Sequence, residues 1–384
     1  MGQAERRPRA VNGPAPAGVL IVTNDFPPRP GGIQSFVHGL ALRTPGVVVY
    51  APAWPGAAEF DRRQPFPIVR HPTRLMLPTP AVARTAARLV AGLVAEHGAG
   101  TVVFGAAAPL GLLAPRLRRA GARRVVMLTH GHEASWASAP GFRAVLRRIG
   151  AHADVVTYLG EYTRRRLAAV IEPGKLVRLA PGVDADRFRP GAADPDAEIV
   201  PVPPGRPVVL CVSRLVPRKG QDQLIRAWPS VLRSVPDAVL LLVGGGPYRA
   251  ALERLAAGRE SIRFTGTVPE SALPAYYAAA DVFAMPCRTR LGGVDVEGLG
   301  IVFLEASASG LPVVAGASGG APDAVRPGET GLVVNGESVD EVAQAVVELL
   351  TDPGRARKLG AGGRDWVARE WAWDQVAARF RQLL

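Results

Sequence analysis

Two carboxylates with seven residues between them, Glu297 and Glu305, stand in the stretch DVEGLGIVFLEA at 295–306. Glu297 lies in a loop rich in glycine (Gly292, Gly293, Gly298, Gly300). Glu305 lies inside the apolar run 301–306, which reads as the first turns of a helix. A helix N-terminus preceded by glycines suits an anion, because unpaired backbone N–H groups and the positive end of the dipole point at it. Carboxylates repel phosphate, so their natural partners beside such an anion are hydroxyls. The pattern implies a nucleotide-sugar site, with one glutamate on the transferred sugar and the other on the ribose. Taken alone, the spacing is also that of two surface glutamates on a helix.

The other chemistry-bearing residues follow strand-like runs. After the apolar run 208–212, the loop RLVPRKG carries Arg214 and Lys219 and opens a helix. Two cations there suit a diphosphate and would stabilise the charge that develops as it leaves; an ordinary basic loop is the plainer reading. After the run 18–23, Asp25 and then the pair Gly31-Gly32 precede a helix starting near Ile33, a second place where backbone can approach a phosphate. The run ending at Thr129 leads into His130-Gly131-His132-Glu133, with either histidine a candidate for the sugar or acceptor. His-x-His also suggests metal, but no further His/Cys cluster supports it, and no metal is expected. Gly266-Thr267-Val268 offers backbone groups to a base edge, and Ser318-Gly319-Gly320 and Gly244-Gly245-Gly246 form further glycine rims. Tyr276, Tyr277 and Phe283 read as core.

These residues need a scaffold, and the pattern supplies it. Strand runs at 18–23, 47–50, 68–70, 101–104, 125–129, 155–158 and 176–179 alternate with helical stretches such as 81–97 and 140–149. A second series follows at 208–212, 238–243, 262–264, 282–285, 313–315 and 332–334. Alternation of this kind predicts doubly wound parallel sheets. The Pro- and Gly-rich stretch 181–207 marks the boundary between two similar α/β halves, and a cleft between halves is a favoured place for a ligand. The expected layout is a disordered leader at 1–17, a domain at 18–183, a domain at 184–365, and a tryptophan-bearing helix at 366–384 that crosses back onto the first domain.

Composition bounds the rest. The 384 residues are 48% hydrophobic and 21% charged, as in a soluble globular protein. The two cysteines offer no disulfide framework and suit a reducing, cytoplasmic setting. The net charge of +13 is unevenly placed: residues 1–183 hold 24 Lys+Arg against 9 Asp+Glu, and the remainder 22 against 24. Arginines cluster at 116–124, at 143–148 and at 164–166. Aromatics are not interleaved as a base-stacking surface requires, so an anionic membrane surface fits better than nucleic acid. An arginine-rich composition overall explains any single cluster equally well.

Taken in order, Gly31-Gly32, His130, Arg214 with Lys219, Gly266-Thr267-Val268 and Glu297-x7-Glu305 closely resemble retaining glycosyltransferases of family 4, over nearly the whole chain. The resemblance implies the GT-B fold, two Rossmann-like domains facing a cleft. It implies that Gly31 and Gly32 approach a diphosphate, Arg214 and Lys219 neutralise it, and Glu297 holds donor-sugar hydroxyls. Glu305 would hold the ribose, Val268 the base through its backbone, and Leu299, Gly300, Ile301 and Val302 would present N–H groups to sugar and phosphate. His130 matches the family's histidine near the sugar; Asp25 matches a first-strand aspartate with no assigned role. Leu291 departs from the pattern, which has glycine there. TNDFPPRPGGIQSF, CRTRLGGVDVEGLGIVFLEA and GASGGAPDAV are most similar to the lipid-directed mannosyltransferases of the family. That branch implies GDP-mannose as donor, no permanently bound cofactor, a phosphatidylinositol mannoside as acceptor, and peripheral attachment to the inner face of the plasma membrane. Rival readings are a family 4 enzyme using a UDP- or ADP-sugar, a GT-B-like sugar-nucleotide epimerase, and a non-enzymatic nucleic-acid-binding protein. A Rossmann dehydrogenase is excluded because no strand is followed by G-x-G-x-x-G.

Overall fold

The computed structural model describes residues 18–98, 100–131, 133, 137, 140–192 and 205–384. The leader 1–17 and His132 lie outside the described residues.

The fully buried run GVLIV forms β1 (Gly18–Val22). Burial on both faces is what a continuous apolar strand with no polar alternation demands. β2 (Val47–Pro52), β3 (Ile68–His71), β4 (Gly100–Phe104), β5 (Ala122–Met127), β6 (Val155–Tyr158) and β7 (Leu176–Arg178) complete a parallel sheet in the order β3-β2-β1-β4-β5-β6-β7. β8 (Val208–Val212), β9 (Val239–Val243), β10 (Ile262–Gly266), β11 (Val282–Met285), β12 (Val313–Gly316) and β13 (Gly331–Val334) form a second parallel sheet, in the order β10-β9-β8-β11-β12-β13. Every run expected to be a strand is one. In each sheet the order reverses once, between β1 and β4 and between β8 and β11. Ligands of open α/β sheets bind beyond the carboxyl ends of the strands at that reversal. The loops bearing Asp25 and Gly31-Gly32 leave β1. Those bearing Arg214 with Lys219, and Glu297, leave β8 and β11. Topology alone therefore brings the candidate residues to the two sheet rims.

The first sheet sorts its side chains by strand alternation. Leu20 and Val22 pack with Val90 and Leu93 of helix Pro80–His97 on one face. Val19 and Ile21 pack with Phe36, Val37 and Leu40 of helix Gly32–Leu42 on the other. That second face is completed by the C-terminus. Helix Pro353–Glu370 ends the second half, with Trp366 and Trp371 buried in its core. After a break, helix Trp373–Gln382 lies on the first sheet with Val376, Phe380 and Leu383 in the cluster. The tail is thus two helices, and the crossing falls between Trp371 and Trp373, where the Val183 N–H donates to the Trp371 carbonyl at 2.8 Å. The chain end is fixed as well, with Thr101 Oγ1 donating to the Leu384 carbonyl (3.0 Å) and Arg124 Nε to that of Leu383 (2.5 Å).

Trp373 sits where the crossing helix, helix Gly32–Leu42 and the linker meet. Its ring packs against Gly39 and Gly182, stacks under the Arg43 guanidinium at 4.5 Å and leans on Phe36 at 6.2 Å. We expect Trp373→Ala to destabilise the first half by roughly 2–4 kcal/mol, a little under the range for a fully buried aromatic because Trp373 is half-buried. Denaturant unfolding checks this, and an unchanged midpoint would contradict it.

Candidate active site

Lys219 ends the short 3-10 turn Pro217–Lys219 just after β8. Gly220 follows at φ 77, and a Cβ there would run into the Pro286 carbonyl oxygen, so only glycine lets the chain turn so close to β11. The turn is held from below. The Gln221 side chain donates to Ser213 Oγ (2.8 Å) and the Arg214 carbonyl (3.1 Å), and the Arg288 N–H donates to the Arg218 carbonyl (2.8 Å). Asp222, 2% exposed, pairs with Arg288 at 3.0 Å beneath it. The Lys219 ammonium is thereby aimed at the β11 loop, where Nζ lies 2.6 Å from Glu297 Oε2. Arg218 flanks the pair, 3.9 Å from Glu297 and 3.7 Å from Asp295. Glu297 is only 6% exposed.

The Glu297 loop rests on the segment after β12. The Gly320 N–H donates to the Glu297 carbonyl at 2.8 Å, and Ser318 Oγ accepts from the Glu297 N–H at 3.4 Å. Cβ atoms on Gly319 and Gly320 would collide with the carbonyls of Glu297 and Gly298. The Ser318-Gly319-Gly320 rim is therefore the platform under the carboxylate loop. Gly300 (φ 82) then starts helix Ile301–Ala308. Glu305, one turn in, is partly buried and accepts from the Tyr277 hydroxyl at 2.8 Å. Tyr277 is core, as expected, but it also fixes this carboxylate, a role no local pattern signals.

A cleft of about 980 Å³ runs between the halves, a size that takes a small-molecule ligand. Gly32, His130, Lys219, Glu297, Leu299, Gly300, Ile301, Val302 and Glu305 line it. Gly31, Asp25, Val268 and Arg214 are not in its lining. Gly31 sits one residue back, against the Gln34 side chain, and Asp25 accepts from Gln34 Nε2 at 2.8 Å. Arg214 is exposed, and its guanidinium makes no hydrogen bond or ion pair to any described residue, while Arg218 does line the cleft. His130 Nε2 bonds the Gly105 carbonyl (2.5 Å), and its backbone N–H donates to Glu133 (2.9 Å), a carboxylate with no exposed surface. Glu133, Arg218, Arg187 and Glu270 are site residues that the sequence analysis did not single out. Arg187 pairs with Glu270 at 3.1 Å on the cleft wall. The halves touch at the centre, where Gly131 approaches Gly298.

Residues 31–187 match the profile of Glycosyltransferase Family 4, and residues 194–366 that of Glycosyl transferases group 1. The chain is 54% identical, over 95% of its length and 98% of the relative's, to a GDP-mannose-dependent alpha-(1-6)-phosphatidylinositol monomannoside mannosyltransferase of Mycolicibacterium smegmatis. The chain belongs to glycosyltransferase family 4. A relative from Corynebacterium glutamicum, named as acting on the monoacylated lipid, is 45% identical over 95% of this chain and 97% of its own. Sucrose-phosphate synthase from Thermosynechococcus elongatus shares the GT-B fold, with a TM-score of 0.74 and 24% identity over 95% of this chain and 98% of that one.

In this glycosyltransferase the cleft sets charge as well as shape. Burial pushes the Glu305 carboxyl from its ordinary 4.5 up to about 7, opposed in part by the Tyr277 hydrogen bond. A carboxyl raised in the folded state holds its proton longer than in the unfolded chain. Its stabilising contribution is therefore complete below about 4.5 and is lost as pH rises through about 7. We expect stability to fall by on the order of 2 kcal/mol across that window, and Glu305→Gln to abolish that part of the pH dependence. Urea titrations from pH 4.5 to 8 check it; parallel pH profiles for the two proteins would contradict it.

Proposed function

We propose that this glycosyltransferase moves mannose from GDP-mannose, with retention, onto a phosphatidylinositol mannoside at the membrane surface. The observation that carries the reading is 54% identity along 95% of the chain to a relative named for that reaction, with Lys219 and Glu297 paired in the cleft. The second half holds the donor and the first half the acceptor. Lys219 and Arg214 neutralise the diphosphate, Arg214 turning in from solvent when donor binds. The first-turn N–H groups of Leu299 to Val302, with Gly31 and Gly32 opposite, complete its cradle. Glu297 gives up its ion pair to accept from donor-sugar hydroxyls, and Glu305 accepts from the ribose. Val268 meets the base through its backbone, and His130 flanks the sugar.

Chemistry follows from this charge layout. The C1–O bond to the β-phosphate breaks and the acceptor hydroxyl forms its bond on the same face. A phosphate oxygen takes the hydroxyl proton. The cations stabilise the leaving diphosphate, which is where negative charge develops. Contact between Gly131 and Gly298 closes the halves over the sugar and limits hydrolysis. Among the described residues no helix is long and apolar enough to cross a membrane. In this reading the chain meets its lipid acceptor from the cytoplasmic side as a peripheral protein. Glu270, exposed on the cleft wall near Arg187, supplies the acceptor that the N1–H and N2–H2 edge of guanine needs and that uracil and adenine match less well.

Calorimetry tests the donor. GDP should bind more tightly than UDP or ADP, and Lys219→Ala should weaken GDP by about 100-fold, the scale of a lost charge-assisted contact to phosphate. Tighter UDP or ADP binding would replace the donor while keeping the family. Glu270→Ala should shrink the GDP-over-UDP preference by roughly tenfold; an unchanged preference would assign base reading to the backbone alone.

A further inference from the structure

The chain departs from the family pattern at Leu291, and the structure makes that departure conspicuous. Leu291 has φ 50, the one positive value at a non-glycine residue among those described. A leucine there is strained where a glycine would not be. Yet its side chain packs into no core: Leu291 is 71% exposed and Val294, three residues on, 65% exposed. Both stand at the tip of a closed loop. Arg290 and Asp295 exchange two backbone hydrogen bonds at its base (2.9 and 3.2 Å), and their side chains pair at 3.8 Å. A loop fixed at its base thus carries strain at its tip while displaying two branched apolar side chains to solvent.

The neighbourhood indicates the partner. Gly293, at the same tip, lies 3.5 Å from the Arg166 guanidinium when a Cβ is placed on it. Arg166 belongs to helix Glu161–Ala168 of the first half and stacks on Tyr162 at 4.9 Å, while the exposed or half-exposed Arg164 and Arg165 share Glu161 as an ion-pair partner at 2.7 and 2.8 Å, so the cluster keeps a net positive charge. Apolar side chains projecting beside a row of arginines are the arrangement that binds an anionic bilayer, the former entering the interface and the latter meeting headgroups. We infer that the loop tip Leu291–Val294 of the second half is a lipid-contact element, dipping into an anionic membrane surface next to the arginines of the first half. This rests on the lipid-acceptor reading above and adds to it a specific contact from the nucleotide-side half.

The loop also connects to the chemistry. Asp295, at its base, pairs with Arg218 at 3.7 Å, and Arg218 lies beside the Lys219–Glu297 pair. Membrane contact at the tip thereby steadies the loop that carries Glu297, two residues further on. A vesicle-bound acceptor is then met by a site already braced against the bilayer.

The test uses the full chain and vesicles of phosphatidylcholine with and without 30% phosphatidylinositol, on the order of an anionic leaflet. Leu291→Gly relieves the strain, so the double variant Leu291→Gly/Val294→Ser is expected to fold at least as well as the parent; its melting temperature checks this. We expect its partitioning to anionic vesicles to fall roughly tenfold or more, with GDP affinity unchanged. Transfer to vesicle-borne acceptor should fall in parallel, while transfer to a deacylated, water-soluble acceptor stays the same. Leu291→Phe should restore partitioning. Vesicle binding by the double variant equal to that of the parent overturns the inference. So does equal loss of transfer to the soluble acceptor, which would make the loop part of the site. Absence of GDP binding by the parent would fail the transferase reading instead, and is read separately.

Discussion

The ion pair between Lys219 and Glu297 is the constraint on which the rest of the cleft depends. Its two members come from the loops that follow different strands, β8 and β11, and both are nearly withdrawn from solvent, at 11% and 8% side-chain exposure. A buried charge is tolerable only with its partner in place, so each loop holds the other. The same pairing keeps an ammonium where a diphosphate can claim it and a carboxylate where sugar hydroxyls can claim it. In the proposed reading an incoming donor would replace one set of partners with another and leave neither charge uncompensated.

Everything beneath the pair fixes its geometry. Gly220 turns against Pro286, Gly319 and Gly320 lie flat under the Glu297 loop, and Asp222 with Arg288 braces the Lys219 turn. The first half supplies a matching rim, with His130 held by Gly105 and Glu133. The chain's own C-terminus ties the halves together by leaving one core at Trp371 and entering the other at Trp373. Between them, Asp323 of the second half accepts from the Tyr162 N–H at the start of a first-half helix (3.2 Å).

Much of this was legible in the sequence, for a physical reason. Parallel strands buried on both faces must be continuous apolar runs, so GVLIV, VVLCV and VLLLV announce themselves. Strand order and the reversal points then send the loops after β1, β8 and β11 to one cleft. Less legible was which side chain of a loop faces inward. The loop RLVPRKG has three cations, and only the fold shows Arg218 on the cleft wall and Arg214 in solvent. Tyr277 and Asp323 gain their roles from partners distant in sequence or across the halves, and nothing local marks them. The tail read as one helix because no glycine or proline breaks it near Trp371; the break comes from the two cores it must join. Leu291 stands in the sequence as a missing glycine, but its strain and exposure are properties of the folded loop.

The most direct test is a calorimetric GDP titration of Glu297→Gln beside the parent protein. If the Lys219–Glu297 pair is the contact that the diphosphate displaces, removing the carboxylate charge frees Lys219, and GDP should bind several-fold to roughly tenfold more tightly. Transfer should collapse at the same time, because the donor sugar loses its acceptor of hydrogen bonds. Weaker GDP binding by Glu297→Gln would contradict the account, since it would mean that Glu297 supports the nucleotide instead of competing with it for Lys219.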